Sequence, residues 1–452
     1  MTDVFNPATG EAFTSLYDAS LADVDRAVTK AEEAFASWET AAASSRAVIL
    51  VSAAAKIRAN ADTLAALLTR EQGKPLREAK DEIQGAAHVF EYYASVCGSI
   101  PGDARFLPKY GYLNVVRKPI GVCGAVVPWN MPAIIFAWKA GAALACGNAV
   151  LVKPSVTASL TVAALAGALH EAGVPADILQ VITGPGVSTG AAIVSHPRIR
   201  HISFTGSPAA GRAVSLAAAP HLKKLTLELG GNDAFIVTRS ADLGKAAAAA
   251  VRHRFYNCGQ VCTSAKRILV HEELADAFVR LAKERIEKLT VGDGAKGSSL
   301  GPLNSAEQRS LVEAAVNRIL DHGKGDLVTG GERLKSPGYF YRPTLLSHVE
   351  PSAVSEEIFG PVMPVISFST DEGALKIANS TPYGLGASVW TNDLAQAREY
   401  AGGLRAGVVW VNKHLILPPE MPFGGVAGSG FGRENGQEFI YEYTEPKSIL
   451  FG

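Results

Sequence analysis

Between Gly121 and about Leu229 the chain alternates short apolar runs with Ala-rich stretches, and this pattern restricts the fold more than any other feature. Val122 to Val127, Ala149 to Lys153, Ile178 to Ile182, His201 to Thr205 and Leu225 to Leu229 read as strands without hydrophilic alternation. Strands buried on both faces and separated by helices imply a doubly wound parallel sheet of the α/β class. A second series follows, with strands expected at Phe235 to Val237, Arg267 to Val270, Val362 to Phe368, Ala387 to Trp390 and Val408 to Val411. The chain of 452 residues is long enough for two such cores.

The first hundred residues read as helices, Leu21 to Trp38 behind a Ser20 cap and Ser45 to Gln72 with apolar residues at three and four spacing. Tyr112 to Arg117 and Ser448 to Phe451 are isolated strand-like pieces that either pair or extend a neighbour's sheet. Lys plus Arg equals Asp plus Glu, 43 against 43, so no charge surplus attracts a nucleic acid. The apolar run from Pro119 to Trp138 is broken by Pro128, Asn130 and Pro132, which argues against a membrane span. The start carries no basic and apolar leader, and five cysteines without a paired framework or zinc-like spacing fit a reduced, cytoplasmic protein. No metal site is expected.

Chemistry concentrates in a few segments. Phe255-Tyr256-Asn257-Cys258-Gly259-Gln260-Val261-Cys262 offers Cys262 as a nucleophile or, as is commoner for a cysteine in an apolar segment, as packing. Glu228 stands between leucines before Gly230 and Gly231, either as a half-buried general base or as a strand-end carboxylate. Asn130, after Pro128 and Trp129, is an oxyanion donor or a turn residue. Phe204 to Gly211 follows a strand and opens a helix, where backbone N–H groups hold phosphate, although its spacing is not the GxGxxG fingerprint. Lys153, at a strand's carboxyl end, is a solvated terminus or a ribose or phosphate ligand.

Six segments in register resemble the NAD(P)-dependent aldehyde dehydrogenase superfamily: Pro128-Trp129-Asn130, Phe204-Thr205-Gly206-Ser207, Leu227 to Gly231, Asn257 to Cys262, Glu357 to Pro361 and Pro422 to Gly425. The resemblance covers essentially the whole chain. It implies a Rossmann-like cofactor domain (1–100 and 120–229), a catalytic α/β domain (230–437) and a small β arm for oligomerisation (101–119 and 438–452). It makes Cys262 the nucleophile and Glu228 the base for a hydrolytic water. Asn130 and the Cys262 N–H become the oxyanion hole, and Lys139 a proton-relay residue. Lys153 falls at the adenosine ribose, Ser207 at the pyrophosphate, Glu357 at the nicotinamide ribose and Phe359 at the nicotinamide, with Trp129, Ser155, Gly206 and Leu229 at further cofactor positions. Met131, Ile135, Trp138, Tyr256, Val261, Thr263, Leu417 and Phe423 are expected along the aldehyde tunnel.

The cofactor implied is NAD or NADP. Many NAD-using relatives have a ribose-binding glutamate where this chain has Val156, so NADP is expected to be accepted. The apolar tunnel favours an aliphatic or aromatic aldehyde; Lys413 and His414 near its mouth keep an anionic semialdehyde open. Glu228 disfavours a CoA-acylating reaction, and retention of Cys262, Glu228 and Asn130 disfavours a non-catalytic recruit. A homodimer or homotetramer is implied. Cys258, four residues before Cys262, is either packing or a redox partner one helical turn away, and Asn232 replaces a lysine common in the family.

Overall fold

The computed structural model describes residues 1–452. Its first sheet has six strands in the order Gly430–Phe431, Lys224–Leu229, His201–Gly206, Val122–Val127, Ala149–Pro154 and Leu179–Val181. All five strands expected here are present, and they pair in parallel. Gly430–Phe431 alone runs antiparallel, placing Gly430 opposite Glu228. Chain order reverses between Val122–Val127 and His201–Gly206, and a crevice opens beyond the carboxyl ends of strands at such a reversal. Trp129 and Asn130 lie beyond one of these ends, Gly206 and Ser207 at the other.

The second sheet has seven strands, in the order Asp326–Thr329, Thr344–Ser347, Val362–Phe368, Arg267–His271, Ala234–Val237, Gly386–Trp390 and Val408–Val411. The five central and right-hand strands match expectation. Asp326–Thr329 and Thr344–Ser347 were not anticipated: each is four residues long, and the first is a half-exposed antiparallel edge without an apolar run. The two isolated strands do find each other, Tyr112 opposite Phe451 and Arg117 opposite Pro446, in a three-stranded antiparallel sheet with Asp103–Leu107.

The N-terminal hundred residues are not wholly helical, because Thr2–Asn6 and Glu11–Leu16 form a hairpin whose second strand is largely exposed and so lacks apolar patterning. Helix Leu21–Thr40 starts as expected: the Asp23 N–H donates to the Ser20 hydroxyl and the Ser20 N–H to the Asp23 carboxylate. The stretch from Ser45 to Gln72 breaks at Asn60 into Ala43–Ala59 and Ala61–Gln72. The apolar run after Pro119 divides into a strand and helix Pro132–Ala145, and no single helix is long and apolar enough to cross a membrane. The N-terminal helices and first sheet share one core, the second sheet has another, and Cys262 lies at the margin of the first.

Candidate active site

Helix Leu243–Phe255 delivers the nucleophile segment and then stops abruptly. Asn257 (φ 49°), Cys258 (φ 55°) and Gly259 (φ 72°) are all left-handed, a conformation that costs a residue with a side chain about 1–2 kcal/mol. Neighbours hold it in place. The Asn257 N–H donates to Glu78 Oε2 (2.7 Å), its Nδ2 to the Asn130 carbonyl (2.8 Å), and Gln260 Nε2 to the Asn257 carbonyl (3.0 Å). A Cβ on Gly259 would lie 2.2 Å from the Gly360 carbonyl oxygen, so this close approach requires glycine. Of the two readings of Cys258, the turn favours packing. The residue is not one α-helical turn from Cys262, and it is buried in the other core, where desolvation pushes its thiol up.

Cys262 is the one cysteine of five that is not fully buried, and it borders two cavities. On one side a cleft of about 240 Å³ is lined by Trp129, Asn130, Thr205, Gly206, Ser207, Glu228, Leu229, Gln308, Glu357 and Phe359, among others. Burial, reinforced by the Glu228 carboxylate, pushes the Cys262 thiol well above its usual range, while the Lys266 ammonium opposes the shift. Burial and the neighbouring carboxylate thus both favour the thiol form of Cys262. Burial also raises the Glu228 carboxyl to about 7, against the pull of the Lys139 charge, and neither of its oxygens has a hydrogen-bond partner. A carboxyl poised near neutrality beside a thiol suits a general base. Asn130 Nδ2 donates to the Gln260 carbonyl (3.0 Å), and an amide NH2 has a second hydrogen to offer.

Lys139 does not line the cleft. Fully buried behind it, the ammonium pairs with Glu434 Oε1 (2.6 Å) and donates to Ser203 Oγ (2.7 Å), acting on Glu228 through its field. Ser207 caps helix Pro208–Ala218, accepting from the Ala210 N–H (3.2 Å) and aiming the helix's positive end at the cleft. Glu357 pairs with Lys266 (2.6 Å), and a Cβ on Gly230 would come within 2.3 Å of its carboxylate. Phe359 meets Trp129 edge-on at 5.5 Å, and Gln308 Nε2 donates to the Phe359 carbonyl (2.7 Å). Asn232 Nδ2 donates to the Val354 and Ser355 carbonyls (2.9 and 3.2 Å), tethering the loop that carries Glu357.

Lys153 and Ser155 lie outside the cleft, farther along the same sheet edge. Lys153 is buried without a carboxylate partner, and desolvation lowers its ammonium to about 8. Val156 is half-buried and brings no charge of its own. A helix N-terminus, a carboxylate, an aromatic pair and an uncompensated lysine along one edge fit a dinucleotide. Gln308 and Lys266 were missed; only the placement of Lys266 four residues after Cys262 hinted at a role.

On the far side of Cys262 an apolar cavity of about 280 Å³ is lined by Met131, Ile135, Trp138, Tyr256, Val261, Thr263 and Leu417, seven of the eight residues expected there. Phe423 is the exception. It is fully buried and packs behind Trp138, ring centres 5.2 Å apart. His414 cannot receive an anion: it is buried, donates from Nε2 to the Thr263 carbonyl (2.8 Å), and burial lowers its pKa to about 3. Exposed Lys413 does not line the cavity either. The charges at this cavity that were not foreseen are Asp81, Glu82 and Arg252, beside His253, Leu415 and Ile416.

Comparison with known proteins matches this geometry. A family model described as "Aldehyde dehydrogenase family" covers residues 1–449. The chain is 38% identical to (Z)-2-((N-methylformamido)methylene)-5-hydroxybutyrolactone dehydrogenase of Acinetobacter baylyi, over 99% of this chain and 93% of that protein. Among solved structures, an E. coli NADP dependent enzyme is similar at 37% identity and a TM-score of 0.97, with 100% of this chain and 94% of that one covered. PnpE of Pseudomonas sp. WBC-3 in complex with nicotinamide adenine dinucleotide is similar at 35% identity and a TM-score of 0.97, with 99% and 93% covered. The chain belongs to the aldehyde dehydrogenase family and is an oxidoreductase acting on aldehydes.

Proposed function

We propose that this enzyme converts an uncharged aliphatic or aromatic aldehyde to its carboxylic acid through a thioester on Cys262, hydrolysed by water that Glu228 deprotonates. The observation that carries the reading is that Cys262 alone joins the polar cleft to the apolar cavity, with an unpartnered carboxyl at hand. The Cys262 thiol gives up its proton to solvent, its sulfur bonds to the aldehyde carbon, and the carbonyl electron pair moves to oxygen. The free N–H of Asn130 and the Cys262 backbone N–H stabilise that oxyanion. Bound NAD or NADP supplies the hydride acceptor, held by Ser207, Glu357, Phe359 and Trp129 on the cleft side and by Lys153 and Ser155 at the adenosine end. Glu228 then takes a proton from water, whose oxygen bonds to the thioester carbon, and the C–S bond breaks.

Both dinucleotides are accepted in this reading. Val156 offers no carboxylate to repel a 2′-phosphate, Lys153 lacks a counter-charge, and one similar structure is named as NADP dependent while another holds NAD. The Acinetobacter baylyi relative is named for a neutral hydroxybutyrolactone, in keeping with an apolar cavity. Residues 1–100 and 120–229 form the cofactor domain, 230–437 the catalytic domain and 101–119 with 438–452 the arm. Exposed Phe106, Tyr112 and Phe451 on that arm support a homodimer or homotetramer, and five unpaired cysteines support a cytoplasmic location. A panel of neutral and anionic aldehydes, assayed with NAD and with NADP and with Cys262→Ala as control, tests the reading. Acid and reduced dinucleotide are expected in equal amounts, best with neutral aldehydes, and absent in the variant. Turnover that persists in Cys262→Ala, or that requires CoA, overturns the mechanism; a marked preference for anionic semialdehydes overturns the substrate class.

A further inference from the structure

We propose that Lys74 and Glu82 are positioning residues that set the oxyanion donor Asn130, an inference that rests on the role given to Asn130 above. Both come from the N-terminal helices, far in sequence from the catalytic segments. Lys74 follows helix Ala61–Gln72, and Glu82 lies in helix Leu76–Val96. Their side chains are wholly buried and ion-paired with each other, and Lys74 Nζ also donates to the Asn130 backbone carbonyl (2.8 Å), with Met131 Sδ at 3.3 Å. The same carbonyl accepts from Asn257 Nδ2, so the backbone of Asn130 is gripped from two sides.

Glu82 secures the residues that follow. Its Oε1 accepts from the N–H groups of Ala133 (2.8 Å) and Ile134 (3.3 Å), closing the start of helix Pro132–Ala145, which the Met131 side chain leaves uncapped. The peptide of Asn130 is thus fixed ahead by this cap and from the side by Lys74. A buried ion pair adds little stability over apolar residues of the same shape, so its placement on this one carbonyl points to geometry. A shift of about 1 Å in a catalytic donor can cost on the order of a hundredfold in rate.

Lys74→Met alone strands the Glu82 charge, so the informative variant is Lys74→Met/Glu82→Gln, which is neutral and keeps an acceptor for the Ala133 N–H. Four quantities are compared with the parent enzyme: kcat, KM for the aldehyde, Tm, and the rate at which iodoacetamide alkylates Cys262. Alkylation displaces iodide and forms no oxyanion, so it reports the thiol without Asn130. The double variant is expected to lose about tenfold to a hundredfold in kcat. Its KM should change by less than about threefold, because Gln keeps the shape of Glu82 at the cavity wall, its Tm should stay near that of the parent, and its alkylation rate should stay within about twofold, since none of these three depends on the Asn130 donor. Adding the two substitutions to Asn130→Ala should then cause no further loss. Parental kcat in the double variant overturns the proposal, as does alkylation falling in step with kcat, which marks general collapse of the site. If Asn130→Ala itself keeps full kcat, the oxyanion reading fails first and takes this one with it.

Discussion

The two cavities that meet at Cys262 are built in different ways. The dinucleotide side rests on strand ends, a helix N-terminus and close approaches at Gly230 and Gly259, whereas the aldehyde side is walled by faces of three helices and a loop near Leu417. Strand ends and glycine contacts are set by the sheet, and so tolerate little change. Helix faces and loops change side chain by side chain without disturbing the backbone. Under the proposed function, chemistry is confined to one wall and selectivity to the other, an arrangement that substitutions can break.

The largest effect is expected on the chemical wall. Glu228→Gln should lower kcat by about 10²–10⁴. The first turnover of reduced dinucleotide should be retained as a burst, because the base acts on the thioester. In the parent, kcat should rise with pH through about 7 as the Glu228 carboxyl ionises, and this rise should vanish in the variant. A loss of the burst together with kcat would move Glu228 to the first half-reaction. Next, Lys153→Met should lower kcat/KM with both dinucleotides, by about tenfold more with NADP than with NAD, since with NADP the lysine meets the 2′-phosphate charge as well as the ribose. Equal losses would confine Lys153 to the ribose common to both dinucleotides and leave the 2′-phosphate without this partner.

On the selective wall, Trp138→Arg should raise the preference for anionic over neutral aldehydes by about tenfold, an ordinary worth for one charge pair, without altering the cofactor preference. A parallel change with NADP would show that the walls are not independent. The smallest effect concerns Glu78, beneath the turn that joins them. Burial raises its carboxyl from 4.5 to about 7, so its contribution to stability is full below about pH 4.5 and is lost as pH rises through 7. Unfolding by urea at pH 5 and pH 8 should show a smaller pH-dependent loss in Glu78→Gln than in the parent, by on the order of 1 kcal/mol. An equal loss would mean that Glu78 does not titrate in the folded protein.

The same contrast explains what the sequence revealed. Runs such as Ala149 to Lys153 are apolar throughout because both faces are covered, and their ends were placed within a residue. The cleft residues follow directly from those ends. The aldehyde wall was harder to read at its margins: Phe423 sits in a recognisable motif but turns its ring behind Trp138, and Arg252 is an ordinary basic residue of a last helical turn. The left-handed turn at Asn257 and Cys258 left no trace, because Glu78 and Asn130 impose it from distant parts of the chain. Lys74 and Glu82 were overlooked for a similar reason. A lone charge pair at no helical spacing carries no periodic signal.

The antiparallel strand Gly430–Phe431 has a consequence for the order in which the enzyme comes into being. It pins the strand of Glu228 from the C-terminal end of the chain, and Glu434, a few residues on, completes the buried pair with Lys139. Domains fold from the N-terminus as they are synthesised, so a nascent chain can assemble most of the first sheet long before this edge arrives. The strand of Glu228 is already in register with His201–Gly206 by then, but its outer edge stays open until translation is nearly finished, and chains cut short by a few tens of residues carry Cys262 beside a Glu228 strand paired on one side alone.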